Sequence, residues 1–256
     1  MTSGNSARYP SLGGRTAFVT GGATGIGEAI VAALARQGTR VHFCDIAADA
    51  GARHAEALAA AGHDVSFHHV DVTDCDRLRD TLAGIEARNG AVDVLVNNAA
   101  NDTRHDWREV TPEQWDRVMA INLRPMFFAC QAVLPGMMQR RRGSIINFGS
   151  ISWTAKFGAM PAYTTAKAAV HGLTRSFLTE AGKCAVRLNT VVPGWIMTER
   201  QLTLNLDEAG IALLERNQAL ADRIMPDDVA ALVLFLAADD SARCSGQQFT
   251  VDGGWI

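Results

Sequence analysis

Thr16-Ala17-Phe18-Val19-Thr20-Gly21-Gly22-Ala23-Thr24-Gly25-Ile26-Gly27 runs from an apolar stretch through glycines into a helical pattern. Thr16 to Thr20 reads as a short buried strand. Ile26, Ala29, Ile30, Ala33 and Leu34 then fall on one helical face, and Gly38 stands where a helix would stop. A glycine-rich turn between a strand and a helix is the setting of a dinucleotide site. Glycines let the backbone approach a pyrophosphate, and the helix start offers unpaired N–H groups and the positive end of its dipole. Gly21, Gly25, Ile26 and Gly27 are the candidates. Asp45 comes 18 residues after Gly27, at the end of the second strand. A carboxylate there hydrogen-bonds the adenosine ribose hydroxyls and repels a 2′-phosphate. No Lys or Arg lies in the turn. The pattern therefore favours NAD over NADP. The alternative role for Asp45 is a cap on the helix that follows.

Outward from this unit the same alternation continues. Strands are expected at Val41–Asp45, Val65–Val70, Val92–Asn97, Ser144–Phe148, Ala185–Val191 and Gln247–Val251. Helices are expected over about 49–61, 74–88 with Thr73 as cap, from Thr111-Pro112-Glu113-Gln114 onward, over about 160–181, and from Pro226 to Ala238. The strands are continuously apolar, as in a parallel sheet covered on both faces. Right-handed crossovers then give a doubly wound α/β Rossmann fold, with seven strands in the order 3-2-1-4-5-6-7. Residues 15–256 read as one domain after a mobile tail, 1–14. Asp93 reads as a structural residue before the fourth strand.

The whole chain narrows the function classes. It has 256 residues, 48% hydrophobic and 20% charged, enough for a core without disulfide or metal staples. A formal net charge of −3 gives no basic excess for general nucleic-acid binding. The run Arg140-Arg141-Arg142 reads as a solvated helix end. No uninterrupted apolar stretch suits a membrane span, and the first residues lack a signal-peptide pattern. Five scattered cysteines and seven histidines show no zinc spacing, so no metal is expected. Reduced cysteines imply a cytoplasmic protein.

Tyr163 and Lys167 are four residues apart, on one face of the expected helix. A free tyrosine, with a pKa of about 10, is a poor base near neutrality. A neighbouring ammonium would lower it. An ordinary Tyr/Lys surface pair is the alternative, and Ser150, thirteen residues before Tyr163 and just past a strand, argues against it.

Thr20-Gly-Gly-Ala-Thr-Gly-Ile-Gly27, Asn97-Asn-Ala-Ala100, Asn122, Ser150, Tyr163-Thr-Thr-Ala-Lys167 and Pro193-Gly194 together resemble the short-chain dehydrogenase/reductase family from about residue 15 to the end. Ala100 departs from the family's usual glycine. A closer likeness is to bacterial NAD-dependent aldose dehydrogenases of the D-xylose 1-dehydrogenase type. It rests on Tyr9-Pro-Ser-Leu12, Asn101-Asp102, Arg104-His105, Ile146–Trp153 and Glu199-Arg200-Gln201. The resemblance implies that Ser150 holds the substrate oxygen, Tyr163 exchanges the proton, Lys167 holds the nicotinamide ribose and Asn122 supports a relay water. Ser152 is a stand-in for Ser150 with spacing wrong by two. It further implies that Asp71 and Val72 lie beside adenine, Asn98 and Ala99 under the adenosine-side ribose, and Ile196 and Thr198, after Pro193-Gly194, at the carboxamide.

By the same resemblance the substrate walls are the loops after strands four, five and six. They hold Asn101, Asp102, Arg104, His105, Ser152, Trp153, Trp195, Glu199 and Arg200, with residues 195–225 as a lid. Polar groups with aromatic planes suit a sugar better than an acyl chain, although several of these charges could simply face solvent. The implied reaction is oxidation of an aldose at C1 to the lactone. The rivals are a dehydrogenase of a 2-keto-3-deoxy sugar acid, an oxoacyl reductase and a non-catalytic NAD sensor. The apolar segments Val229–Ala238 and Trp255-Ile256 suggest a homotetramer, as in the family.

Overall fold

A computed structural model of the chain describes residues 7–204 and 206–256. In chain order the elements are β1 (Thr16–Thr20), α1 (Gly25–Arg36), β2 (Arg40–Asp45), α2 (Ala48–Ala60), β3 (Val65–His69), α3 (Cys75–Asn89), β4 (Val94–Asn97), α4 (Pro112–Asn122) and α5 (Arg124–Gln139). They continue with β5 (Gly143–Phe148), α6 (Pro161–Ser176), α7 (Leu178–Lys183), β6 (Val186–Pro193), α8 (Glu199–Leu204), α9 (Glu208–Asn217), α10 (Pro226–Ala237) and β7 (Gln248–Val251). The seven strands form one sheet in the order β3-β2-β1-β4-β5-β6-β7, and every pairing is parallel. This is the expected Rossmann topology.

Successive strand residues point to opposite faces. Ala17, Val19, Phe43, Val94 and Val96 therefore pack with α1 and α10, while Phe18, Leu95, Ile145 and Leu188 pack with α3 and α5. Both faces are covered, which is why β1, β4 and β5 are buried throughout. Val229, Ala230, Val233, Leu234, Leu236 and Ala237 of α10 are buried in this chain's own core. The apolarity of that helix is thus used largely within the chain.

Several local expectations change. The tail expected over 1–14 lies outside the described residues at 1–6. Pro10–Leu12 forms a 3-10 turn, Leu12 is fully buried with α1, and the Tyr9 N–H donates to Gln37 Oε1 at 2.9 Å. Burying Leu12 ties down residues 9–12. The cap of α3 is Asp74, which accepts from the Arg77 N–H, because Thr73 is held by Asp71 Oδ1 instead. The helix opened by the Thr111–Gln114 capping box stops at Asn122. Pro125 cannot donate to a carbonyl one turn back, so α5 starts as a separate segment. Together Pro112–Gln139 is long and apolar enough to cross a membrane by composition, yet Ala129, Cys130, Val133 and Met137 are packed inside the fold.

The arginine run is only partly solvated. Arg142 donates to Asp93 Oδ1 at 2.7 and 3.0 Å, and Arg140 donates to the Val92 carbonyl at 3.1 Å. Asp93 Oδ2 accepts from the Thr16 N–H at 3.0 Å, so this buried carboxylate ties the start of β1 to the turn after α5.

Candidate active site

The carboxyl ends of β1, β4, β5 and β6 meet where the strand order reverses, and two adjoining clefts open there. The larger, about 1570 Å³, is lined by Gly21, Gly25, Ile26, Gly27, Asp45, Asp71, Val72, Asn98, Ala99 and Asn101. The smaller, about 570 Å³, is lined by Ser150, Tyr163, Lys167, Pro193, Gly194, Trp195, Ile196 and Thr198. Ile26, Asn98, Ala100, Asp102 and Thr198 border both.

The glycine turn fits a dinucleotide. A Cβ on Gly27 would stand 1.8 Å from the Gly21 carbonyl oxygen, so only glycine allows this helix start to meet the turn. Gly25 has φ +59°, in the left-handed region that favours glycine. Thr24 makes no side-chain cap bond to α1, which leaves N–H groups at the start of that helix facing the cleft. Asn98 holds the turn from below, its Nδ2 donating to the Gly21 and Thr20 carbonyls at 2.9 and 3.1 Å. Asp45 has both proposed roles within reach. Its oxygens accept from the Ala23 and Ala47 N–H groups at 3.0 Å, and lone pairs remain for ribose hydroxyls.

Ser150 follows β5 and accepts from the Ser152 N–H at 3.1 Å, with its hydroxyl against the Tyr163 phenol. Tyr163 and Lys167 lie on successive turns of α6, and the Lys167 Nζ is 5.7 Å from the phenol ring centre. Lys167 is 1% exposed and donates to the Phe148 carbonyl at 2.8 Å. Burial lowers its pKa to about 7, against the pull of Asp102. Burial also pushes the Tyr163 phenol above its ordinary value; Asp102 adds to this, while Ser150 and Arg104 oppose it. The expected lowering of Tyr163 by a lysine cation is therefore corrected for the protein alone. Desolvation penalises both charged forms at once.

Asn122, fully buried at the end of α4, pins the loop after β4. Its Oδ1 accepts from the Asn101 N–H at 2.9 Å, and its Nδ2 donates to the Asn101 and Val118 carbonyls at 3.1 and 3.0 Å. Ser152 and Trp153 do not line either cleft. Ser152 is buried beneath the 151–153 turn, and the Trp153 ring packs edge-on against His171, 5.6 Å away. His105 Nε2 accepts from the Ala162 N–H at 3.2 Å, bracing the start of α6 from outside the cavity. Arg104 does line the smaller cleft and donates to Met160 Sδ at 3.1 Å. Ala100 has no positive φ, so its methyl carries no backbone strain.

Residues 21–256 match the family model described as enoyl-(acyl carrier protein) reductase. The chain is 44% identical to a D-xylose 1-dehydrogenase of Caulobacter vibrioides, over 98% of this chain and 99% of that one. It is 43% identical to a probable galactose dehydrogenase of Rhizobium meliloti, over 97% and 98%. The chain belongs to the short-chain dehydrogenase/reductase family. A putative gluconate dehydrogenase from Agrobacterium tumefaciens superposes with a TM-score of 0.91 at 29% identity, covering 97% of this chain and 98% of that one. As a member of the family the chain is an oxidoreductase acting on CH–OH groups with a nicotinamide cofactor.

Sequence reasoning gave no role to Phe157 and Met160, both in the wall of the smaller cleft. It used Gln201 only within the Glu199-Arg200-Gln201 likeness and Trp255 only as a subunit contact, whereas Gln201 also lines that wall and Trp255 packs against it. Phe157 and Met160 lie between Ser150 and Tyr163, a segment that has to span the cavity mouth. Lys156 and Ala159 in it have φ +58° and +60°. Gln201 sits one turn beyond Thr198, and the Glu199-Arg200-Gln201 likeness was the signal for it.

Proposed function

We propose that this protein oxidises the C1 hydroxyl of an aldose, a pentose or a 6-deoxyhexose, to the lactone with NAD. The observation that carries this reading is a single 570 Å³ cavity. It holds Ser150, Tyr163 and Lys167 beside the polar groups of Asp102 and Gln201 and the indole of Trp195. The two sugar dehydrogenases similar over nearly the whole chain support it, and Asp45 supports NAD. A bound oxidised nicotinamide would supply the hydride acceptor and a positive charge that favours the phenolate form of Tyr163. Tyr163 takes the hydroxyl proton at its phenolate oxygen, and Ser150 hydrogen-bonds the same substrate oxygen. C1 loses a hydride and becomes the lactone carbonyl carbon. Lys167 and Thr198 would hold the nicotinamide end, and Asp45 the adenosine ribose. Residues 195–225 form the lid in this reading, and the assembly is a cytoplasmic homotetramer.

A second reading is oxidation of a sugar acid. It is favoured by Arg104, which lines the cavity with no carboxylate of the described residues within ion-pair distance. NADH formation with D-xylose, L-arabinose, D-galactose, L-fucose and a few 2-keto-3-deoxy sugar acids, each offered with NAD and with NADP, separates the two. Turnover of a free aldose with NAD is expected. Turnover of the acids alone would replace the leading reading with the second.

A further inference from the structure

Gln201 joins two segments that are far apart in sequence. Its Nε2 donates to Asp102 Oδ2 at 2.8 Å, and its Oε1 accepts from the Trp195 Nε1–H at 3.0 Å. Its backbone N–H donates to Thr198 Oγ1 at 3.3 Å, which anchors the start of α8. Asp102 comes from the loop after β4, Trp195 from the end of β6 and Gln201 from α8, and all three line the cavity of Tyr163 and Ser150.

The indole plane is fixed from both sides. Gln201 holds its nitrogen, and Trp255 packs against it with ring centres 6.5 Å apart. Trp255 in turn meets Phe157 at 5.5 Å. The Asp252 carboxylate accepts from the Gly254 and Ile256 N–H groups at 3.0 and 2.9 Å, which folds the C-terminal turn against this aromatic group. The cavity thus offers a rigid ring face next to a carboxylate and a primary amide.

We infer that Asp102 and Gln201 are the specificity-determining pair of this cavity, reading two adjacent hydroxyls next to the carbon that reacts. The inference rests on the aldose reading and deepens it. A carboxylate accepts hydrogen bonds only. Asp102 Oδ2 takes Gln201 and Oδ1 lies 3.5 Å from Arg200 Nε, and the remaining lone pair on each oxygen matches one O–H donor of a vicinal diol. The amide both donates and accepts, so it stays paired whether it faces Asp102 or a sugar hydroxyl. An acyl chain in the same place would cover the remaining lone pairs of the carboxylate with no donor to meet them, a cost that counts against acyl substrates. A sugar ring over Trp195 would present its hydroxyls at its edge, toward this pair.

The test separates binding from turnover. Tyr163→Phe protein saturated with NAD would be titrated calorimetrically with D-xylose, D-galactose and 2-deoxy-D-galactose. The titrations would be repeated with Gln201→Leu and with the conservative Asp102→Asn added to the same background. Before the additions, the 2-deoxy sugar should bind roughly 10-fold or more weakly than D-galactose. With either addition, D-galactose should weaken by about that factor while the 2-deoxy sugar changes little. NAD affinity, measured alongside, should hold for both additions, because neither side chain meets the glycine turn, and Tm reports how much the Gln201 bond to Trp195 contributes to the fold. Equal binding of D-galactose and its 2-deoxy analogue overturns the inference. So does unchanged discrimination in both added variants, or absence of aldose binding. Aldose turnover by the unmodified enzyme is scored separately: turnover without discrimination keeps the aldose reading and sinks the pair, and discrimination without turnover does the reverse.

Discussion

At the scale of single residues, the buried pair Tyr163 and Lys167 dominates. Tyr163→Phe removes the proton acceptor and leaves the cleft around the glycine turn intact. Turnover should fall by about 10²–10⁴-fold with NAD affinity unchanged, read by steady-state kinetics beside a nucleotide titration. Lys167 supplies a second expectation, of stability against pH. Its folded pKa is near 7, below the free value of 10.5. Between those values the unfolded chain holds the proton more tightly, so stability climbs as pH rises through that window. Tyr163, shifted up, acts only above its ordinary value, and the lowered histidines His42, His54, His68 and His171 act below 6.5. The buried thiols of Cys44 and Cys130, raised from 9.0 to about 12, lower stability as pH rises from about 9. Thermal melts from pH 7 to 8.5 should show a rising Tm, and Lys167→Met should flatten that rise. An equal slope in both proteins would mean that Lys167 is not the group responsible.

At the scale of elements, the break between α4 and α5 determines where Asn122 lies. The helix ends there, and its last side chain turns to the backbone of Asn101. Asn122→Ala leaves an N–H and two carbonyls without this partner, a loss of about 2–3 kcal/mol. The melting temperature should fall by about 5 °C or more, and KM for the sugar should rise as the loop carrying Asp102 loosens. A drop in kcat with Tm and KM untouched would instead assign Asn122 to proton transfer alone. The capping box of α4 was legible in the residues, because it acts over a single turn. The division at Asn122 was not, since a polar helical residue looks alike whether it faces solvent or a loop carbonyl.

At the scale of the whole molecule, Asp93 joins β1, β4 and the end of α5 across long sequence separations. It is 4% exposed, while the Arg142 side chain remains half-exposed. Asp93→Ala should cost about 2–3 kcal/mol, less than a fully buried pair because water already screens the arginine. Chemical denaturation should show this as a lower midpoint with an unchanged slope, and kinetic constants at low temperature should stay near wild type. An unchanged midpoint would mean that the Thr16 backbone and the arginines find other partners.

The residues by themselves determined the parallel Rossmann sheet, the glycine turn with Asp45, and the grouping of Ser150, Tyr163 and Lys167. Each rests on a short-range pattern: the continuous apolar run of a strand buried on both faces, the helical period, or a turn that only glycine can make. Only the tertiary structure decided how those groups titrate, which aromatic rings wall the cavity, and where the arginines go. Trp153 and Trp195 were both expected in the substrate wall, yet Trp153 packs on His171, and only Trp195, backed by Trp255, lines the cavity. Asp102 and Gln201 meet across 99 residues. Desolvation and side-chain pairing depend on distances in space, and neither leaves a trace in local periodicity.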